Sequence, residues 1–294
     1  MKIADALAIL LRGGKLAVIT DHALFRHIDG LFRAGVFEGE KLRLRPREAT
    51  RTDFRQLRDR LIAQRVLEPD NDFPSGVLKI VGAPDADAES VCCVVDPFCY
   101  VSHLSAMQRH GLTDRTPVAL SLTTPTSARW NELRDATVAS EAGGASNARR
   151  AAMPLLRHGF ADTVRGRPVE RHETKFPDAP LQLRDSAVRV ATIGRTFVDM
   201  LAEPSRCGGM GHVLEVWENT ASTFVAEICE AVDAWPAPIV KVRAGYLLGE
   251  LLGLADPAIE RWRAFAARGG SRKLDPGKPF DPRHSPAWML SLNV

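Results

Sequence analysis

Apolar residues at Ile3, Leu7, Leu10 and Leu11 recur at helical spacing, and Gly13-Gly14 ends the run, which predicts a first helix. "KLAVIT" then predicts a short strand. Thr20 or Asp21 caps a second helix that buries Leu24, Phe25, Ile28, Leu31 and Phe32 and stops at Gly35. Pro46 forbids a continuous helix through the following "LRLRPRE" loop. In "TRTDFRQLRDRLIAQR", residues 50–65, Phe54, Leu57 and Leu61 form the buried stripe of a third helix, capped by Thr50 or Thr52. "VLEPDNDFPSGVLKIVG" reads as strand, turn, strand. Asp70, Asn71, Pro74 and Gly76 mark the turn, and Val77, Leu78, Ile80 and Val81 supply the returning strand.

Three helices followed by a two-stranded ribbon predict an N-terminal winged helix-turn-helix over residues 1–85. Its third helix would enter a major groove, whose width of roughly 12 Å admits an α-helix. The 36–49 loop is long for a tight helix-turn-helix. Polar "GAPDADAES", residues 82–90, marks a boundary. Residues 86–294 are then a larger mixed α/β C-terminal domain rich in helices, and the fold class is α+β. "VCCVVDPFCYVSHLSAMQRHGL" predicts a β-branched strand running into a helix. Leu214 to Val232 and Val242 to Leu254 predict helices, with Tyr246, Leu247, Leu251 and Leu252 in the core.

Charge sharpens this picture. The net charge of the 294 residues is only +3, but residues 1–66 hold fourteen Lys and Arg against eight Asp and Glu. Such local basicity points to a polyanionic partner. Steps of about 100° around the third helix put Thr52, Arg55, Gln56, Asp59 and Arg60 opposite the apolar stripe. Arg58 and Arg65 flank the stripe and are expected to snorkel or pair. Arg55, Gln56 and Thr52 are the candidates for base edges, and Arg51, Arg60 and Lys79 for phosphates. "RWRAFAARGGSRK", residues 261–273, is a second basic cluster, read as a helix C-terminus finished by Gly269-Gly270 or as further phosphate contacts.

Composition narrows the class further. At 45% hydrophobic and 26% charged residues, the chain suits a globular protein. No apolar run approaches the roughly 18 residues of a membrane span. "MKIADALAILLRGG" is interrupted by Asp5 and lacks a small-residue cleavage site, so it reads as a helix rather than a signal peptide, and the cytoplasm is the expected location. Five irregularly spaced cysteines do not make a disulfide framework.

Enzymatic chemistry is weakly marked, and a non-enzyme without cofactor or metal is expected. "ETK", Glu173 to Lys175, with Asp162 upstream, fits half of a metal-dependent nuclease site, so a nuclease using Asp162, Glu173 and Lys175 stands as an alternative. A winged-helix protein-docking module without DNA binding is the other. Cys92, Cys93 and Cys99 with His103 and His110 match no usual zinc spacing, and read better as buried thiols beside a strand with His103 on a helix surface. Gly208, Gly209 and Gly211 lack the lysine and hydroxyl of a P-loop and read as a helix stop. Arg195 and Asp199 are spaced i, i+4 on a helix capped by Thr196; with Thr196 they are either a structural pair or a contact site of the second domain.

"DPFCYVSHLSAMQRHGLTDRTP", "VRVATIGRTFVDMLAEPSRCGGMGHVLEVWE", "VRAGYLLGELLG" and "SPAWMLSLNV" resemble, in kind and order, segments of the AbiEi family of bacterial type IV antitoxins. The resemblance covers most of the chain, including the N-terminal region. It implies a cytoplasmic, DNA-binding transcriptional autorepressor that acts on promoter DNA. It also implies a neighbouring nucleotidyltransferase-type toxin, countered through the second domain without need of a stable complex. The chain itself is not that toxin: Gly270-Ser271 is followed by no Asp-x-Asp/Glu dyad, and Asp85-Ala-Asp87 has no Gly-Ser upstream.

Overall fold

A computed structural model describes the chain except residues 74, 142, 144, 145, 158, 160 and 267–271. Pro74 of the expected turn, the Gly269-Gly270 stop and Gly270-Ser271 therefore lie outside the described residues. Helix α1 (Ile3–Gly13) buries Ala4, Ala6, Leu7 and Leu11 and leaves Ile3 and Leu10 half-buried. Strand β1 (Val18–Thr20) leads into α2 (Asp21–Ala34), where the Thr20 hydroxyl accepts the Ala23 N–H at 3.2 Å. Gly35 closes α2 in the left-handed region at φ 66°; a Cβ there would also stand 2.8 Å from Pro46 Cγ. The long loop after it contains a small hairpin of β2 (Val36–Phe37) and β3 (Glu40–Lys41), turning through Glu38 and Gly39, both at positive φ.

Helix α3 (Arg51–Ala63) buries Phe54, Leu57 and Leu61 as the spacing predicts. Strands β4 (Leu67–Pro69) and β5 (Val77–Ile80) pair antiparallel, and β5 also pairs antiparallel with β1, giving the order β1-β5-β4. One apolar core unites these elements, with Leu7, Phe25, Ile28, Leu61 and Leu78 fully enclosed.

The 91–95 stretch corrects the expected strand. It lies in helix α4 (Ala88–Val95), started by Asp87, whose carboxylate accepts the Ser90 N–H at 2.8 Å. β-Branched propensity is a weak prior, and here burial of Val91, Cys92, Cys93 and Val95 outweighs it. The chain continues through β6 (Tyr100–Val101), α5 (His103–Arg109), β7 (Leu120–Pro125), α6 (Ser127–Glu141), α7 (Asn147–Ala152), β8 (Thr163–Val164), β9 (Arg167–Thr174), β10 (Leu181–Gln182) and β11 (Arg189–Val190). After these come α8 (Ile193–Ala202), α9 (Met210–Thr220), α10 (Val225–Ala234), α11 (Pro238–Gly245), a π-helical turn at Tyr246–Leu251, α12 (Pro257–Trp262) and a hairpin of β12 (His284–Ser285) with β13 (Leu290–Ser291).

The described chain divides into two compact units: Met1–Tyr100, Thr123–Pro177 and Gln182–Arg189 in the first, and Val101–Leu122, Asp178–Leu181 and Val190–Val294 in the second. Within the first unit, α7 and the residues just after it are built into the α1–α3 core. Ala152 and Met153 join its apolar cluster. Arg149 Nε donates to Asp29 Oδ2 at 2.8 Å, with both side chains almost wholly buried. Ser146 bonds Glu48, and His22 bonds Glu141 Oε2 at 2.8 Å and the Pro154 carbonyl at 2.9 Å. The β8–β9 hairpin turns through Arg165 and Gly166, both at positive φ.

The second unit is mainly helical. Its core gathers Phe197, Trp217, Val232, Leu247 and Trp262. Leu247 is buried as expected and Tyr246 and Leu252 are half-buried, but Leu251 is 42% exposed because the π-helical turn shifts its register away from the core. Gly208 closes a short 3₁₀ turn and Gly209 precedes α9, so the glycines separate two helices. Taken together, the chain is a mixed α/β protein of the α+β kind. Among the described residues no helix is long and apolar enough to cross a membrane.

Candidate nucleic-acid interface

Helix α3 is fixed at its start by a reciprocal cap. Thr50 Oγ1 accepts the Asp53 N–H at 3.2 Å, and the Asp53 carboxylate accepts the Thr50 N–H at 2.8 Å. Arg47 reaches back in a fork, donating to both Asp53 oxygens at 2.7 and 2.8 Å, and its guanidinium lies over the Phe32 ring. The Arg47 hydrogen bonds, with those from Thr50, hold the Asp53 carboxyl down at about 2 against an ordinary 3.8. A carboxyl lowered on folding stabilises above its unfolded value and loses that contribution as pH falls toward its folded value. Asp53→Asn is therefore expected to be less stable than wild type above pH 4, with the gap closing between about pH 4 and 2 in urea melts.

The fork also removes Arg47 from any ligand-binding role. Arg58 is removed as well: its Nε donates to Asp21 Oδ1 at 2.9 Å, the pairing expected for a residue flanking the stripe. What remains outward is Arg51, Thr52, Arg55, Gln56, Asp59 and Arg60, all exposed. The side chains of Arg51, Arg55 and Arg60 form no hydrogen bond or ion pair with any described residue. The basic face of α3 is thus open and uncommitted, with Asp59 its one acid.

The ribbon offers less. Lys79 is exposed, but its cross-strand neighbour is Glu68, 3.5 Å away, which offsets its charge. The turn between β4 and β5 is held from within the same unit: Arg165 Nη2 bonds Asp70 at 2.6 Å and Nη1 reaches Asp72. The turn therefore presents no free cation of its own among the described residues.

The other candidate residues resolve differently. Arg195, Thr196 and Asp199 are buried, which corrects their reading as a surface contact. Arg195 Nε donates to Asp199 Oδ1 at 2.7 Å, and the guanidinium lies over the Trp235 ring, so the i, i+4 pair is part of the core of the second unit. The cap of α8 is Thr192, not Thr196, whose hydroxyl instead donates to the Thr192 carbonyl. Asp162 and Glu173 are not brought together. The Asp162 carbonyl accepts the Val169 N–H, and Glu173 lies four residues farther along β9, about 13 Å at strand rise. Glu173 pairs with Arg171 at 2.7 Å. The five cysteines are free and buried, with burial pushing the Cys92 thiol up to about 12, and none belongs to a described cluster spaced to share a metal ion. His103 is buried rather than on a helix surface.

Sequence reading missed Arg47, whose partner Asp53 is six residues away with no motif to mark it. It also missed Arg150 and Arg157, exposed arginines a hundred residues downstream, which line the same groove as the start of α3. No protein-family model and no curated protein matches the chain. Among solved structures it is similar to one described as the crystal structure of RV2827C protein from Mycobacterium tuberculosis, at 15% identity and a TM-score of 0.48, covering 98% of this chain and 90% of that one.

Proposed function

We propose that the α1–β5 region is a winged helix-turn-helix that binds duplex DNA, and that the chain is a cytoplasmic transcriptional autorepressor and antitoxin of the AbiEi kind. The observation that carries the DNA-binding part is the outward face of α3, where Arg51, Arg55 and Arg60 stand exposed and unpaired beside Thr52 and Gln56. Three helices with an antiparallel ribbon supply the scaffold on which such a helix enters a major groove. The antitoxin part is supported by the order of the sequence segments that resemble that family; the partner it implies is a nucleotidyltransferase-type toxin encoded alongside.

In this reading Arg55, Gln56 and Thr52 meet base edges and Arg51 and Arg60 meet phosphates. Arg55→Ala is expected to cost about 1–3 kcal/mol on the DNA upstream of the coding sequence and clearly less on random duplex. Equal losses on both would remove Arg55 from base reading. Lys79→Ala should weaken all duplexes alike and lower the log–log salt slope by about 0.9. An unchanged slope would leave Lys79 paired with Glu68 in the complex.

A further inference from the structure

A groove of 610 Å³ runs beside the start of α3, entirely within the first unit, and four arginines line it: Arg51, Arg55, Arg150 and Arg157. None of the four pairs with a described carboxylate. Asp21, which also lines the groove, is already committed to Arg58. A cleft whose unpaired charges are of one sign, with apolar walls such as Phe54 and Met153, concentrates counter-ions of the opposite sign. Guanidinium groups match the paired oxygens of phosphate, as of carboxylate, through two parallel hydrogen bonds, and a duplex backbone presents such phosphates in series.

We infer that this groove is a phosphate site that receives the backbone of the duplex bound by α3, with Arg150 and Arg157 as interface residues supplied from outside the three-helix region. The inference rests on the DNA-binding reading. Its geometry follows from where a recognition helix works: the N-terminal residues of that helix meet the bases, so a strand backbone passes alongside. The groove lies at that end of α3. Arg150 also sits on a rigid mount, because its neighbour Arg149 is locked to Asp29 and Met153 is in the core. The backbone that carries Arg150 is therefore held in place before a phosphate arrives.

The test compares the full-length wild type with Arg150→Ala/Arg157→Ala and Arg150→Lys/Arg157→Lys, titrating a duplex from the upstream region and a random duplex at several salt concentrations. The double alanine variant should bind both duplexes more weakly by the same factor and lose about 1.8 from the log–log salt slope. The double lysine variant should keep the slope, while an equal urea midpoint for all three proteins excludes unfolding as the cause. A double alanine variant with wild-type slope and affinity overturns the inference and leaves the α3 reading intact. Tripolyphosphate binding by calorimetry that is lost in the double alanine variant, with duplex affinity unchanged, overturns it in favour of a free polyphosphate ligand. Failure of the wild type to bind any duplex overturns both.

Discussion

Arg149→Ala is expected to destabilise the first unit by about 3–5 kcal/mol, the range for removing one partner of a buried ion pair. Asp29 is fully buried and has three claims on it: Arg149 at 2.8 Å, Arg33 at 3.1 Å, and the Ala49 N–H at 3.0 Å. Losing Arg149 leaves an enclosed carboxylate with only a half-exposed arginine and one amide. It also frees the segment around α7, which Arg149 ties down through the Glu141 carbonyl as well. Urea unfolding followed by circular dichroism measures the loss. Replacing both partners with apolar residues, Asp29→Leu with Arg149→Met, should recover only part of it, since the uncompensated charge is gone but the Ala49 N–H loses its acceptor. A loss under 1 kcal/mol for Arg149→Ala would mean the pair is open to water.

Gly194→Ala is expected to destabilise the second unit, because packing opposes helix propensity at this position. Helix propensity alone favours alanine by about 0.8–1.0 kcal/mol. A Cβ at Gly194, however, would stand 2.2 Å from the Glu227 carbonyl oxygen and 3.0 Å from Ala231 Cβ, so α8 and α10 would have to separate. Backbone cannot step aside as a flexible side chain does, and overpacking of this kind costs about 1–3 kcal/mol or more, so the clash wins. Gly211→Ala is the control. Nothing lies within 4 Å of its Cβ position in α9, and it should be neutral or slightly stabilising. Thermal melts showing Gly194→Ala at or above wild type would contradict the close approach of the two helices.

Local chemistry made the three helices and the ribbon of the first eighty residues legible. Thr20, Gly35 and Thr50 cap through contacts within four residues, and the Phe54, Leu57, Leu61 stripe assigns the outward face of α3 by geometry alone. The same locality explains the misses. Asp29 and Arg149 are 120 residues apart in sequence, so nothing near either one signals the pair. Valines and cysteines at 91–95 suit a buried strand or a buried helix equally, and only packing decides between them. At α8 two threonines four residues apart compete for the cap; Thr192 takes it, which carries Thr196 into the helix and Arg195 into the core. The groove-lining Arg150 and Arg157 had no motif to announce them, because the groove is formed by tertiary folding.

Equilibrium titration of the full chain with the duplex upstream of its own coding sequence, across a series of salt concentrations, tests the proposed role of α3 most directly. Binding is expected at low salt, with log affinity falling linearly with log salt. Arg51→Ala/Arg55→Ala/Arg60→Ala should lose nearly all of that binding with the urea midpoint unchanged. Absence of binding at low salt, or a triple variant that binds as tightly as wild type, would contradict it and leave the outward face of α3 to a protein partner.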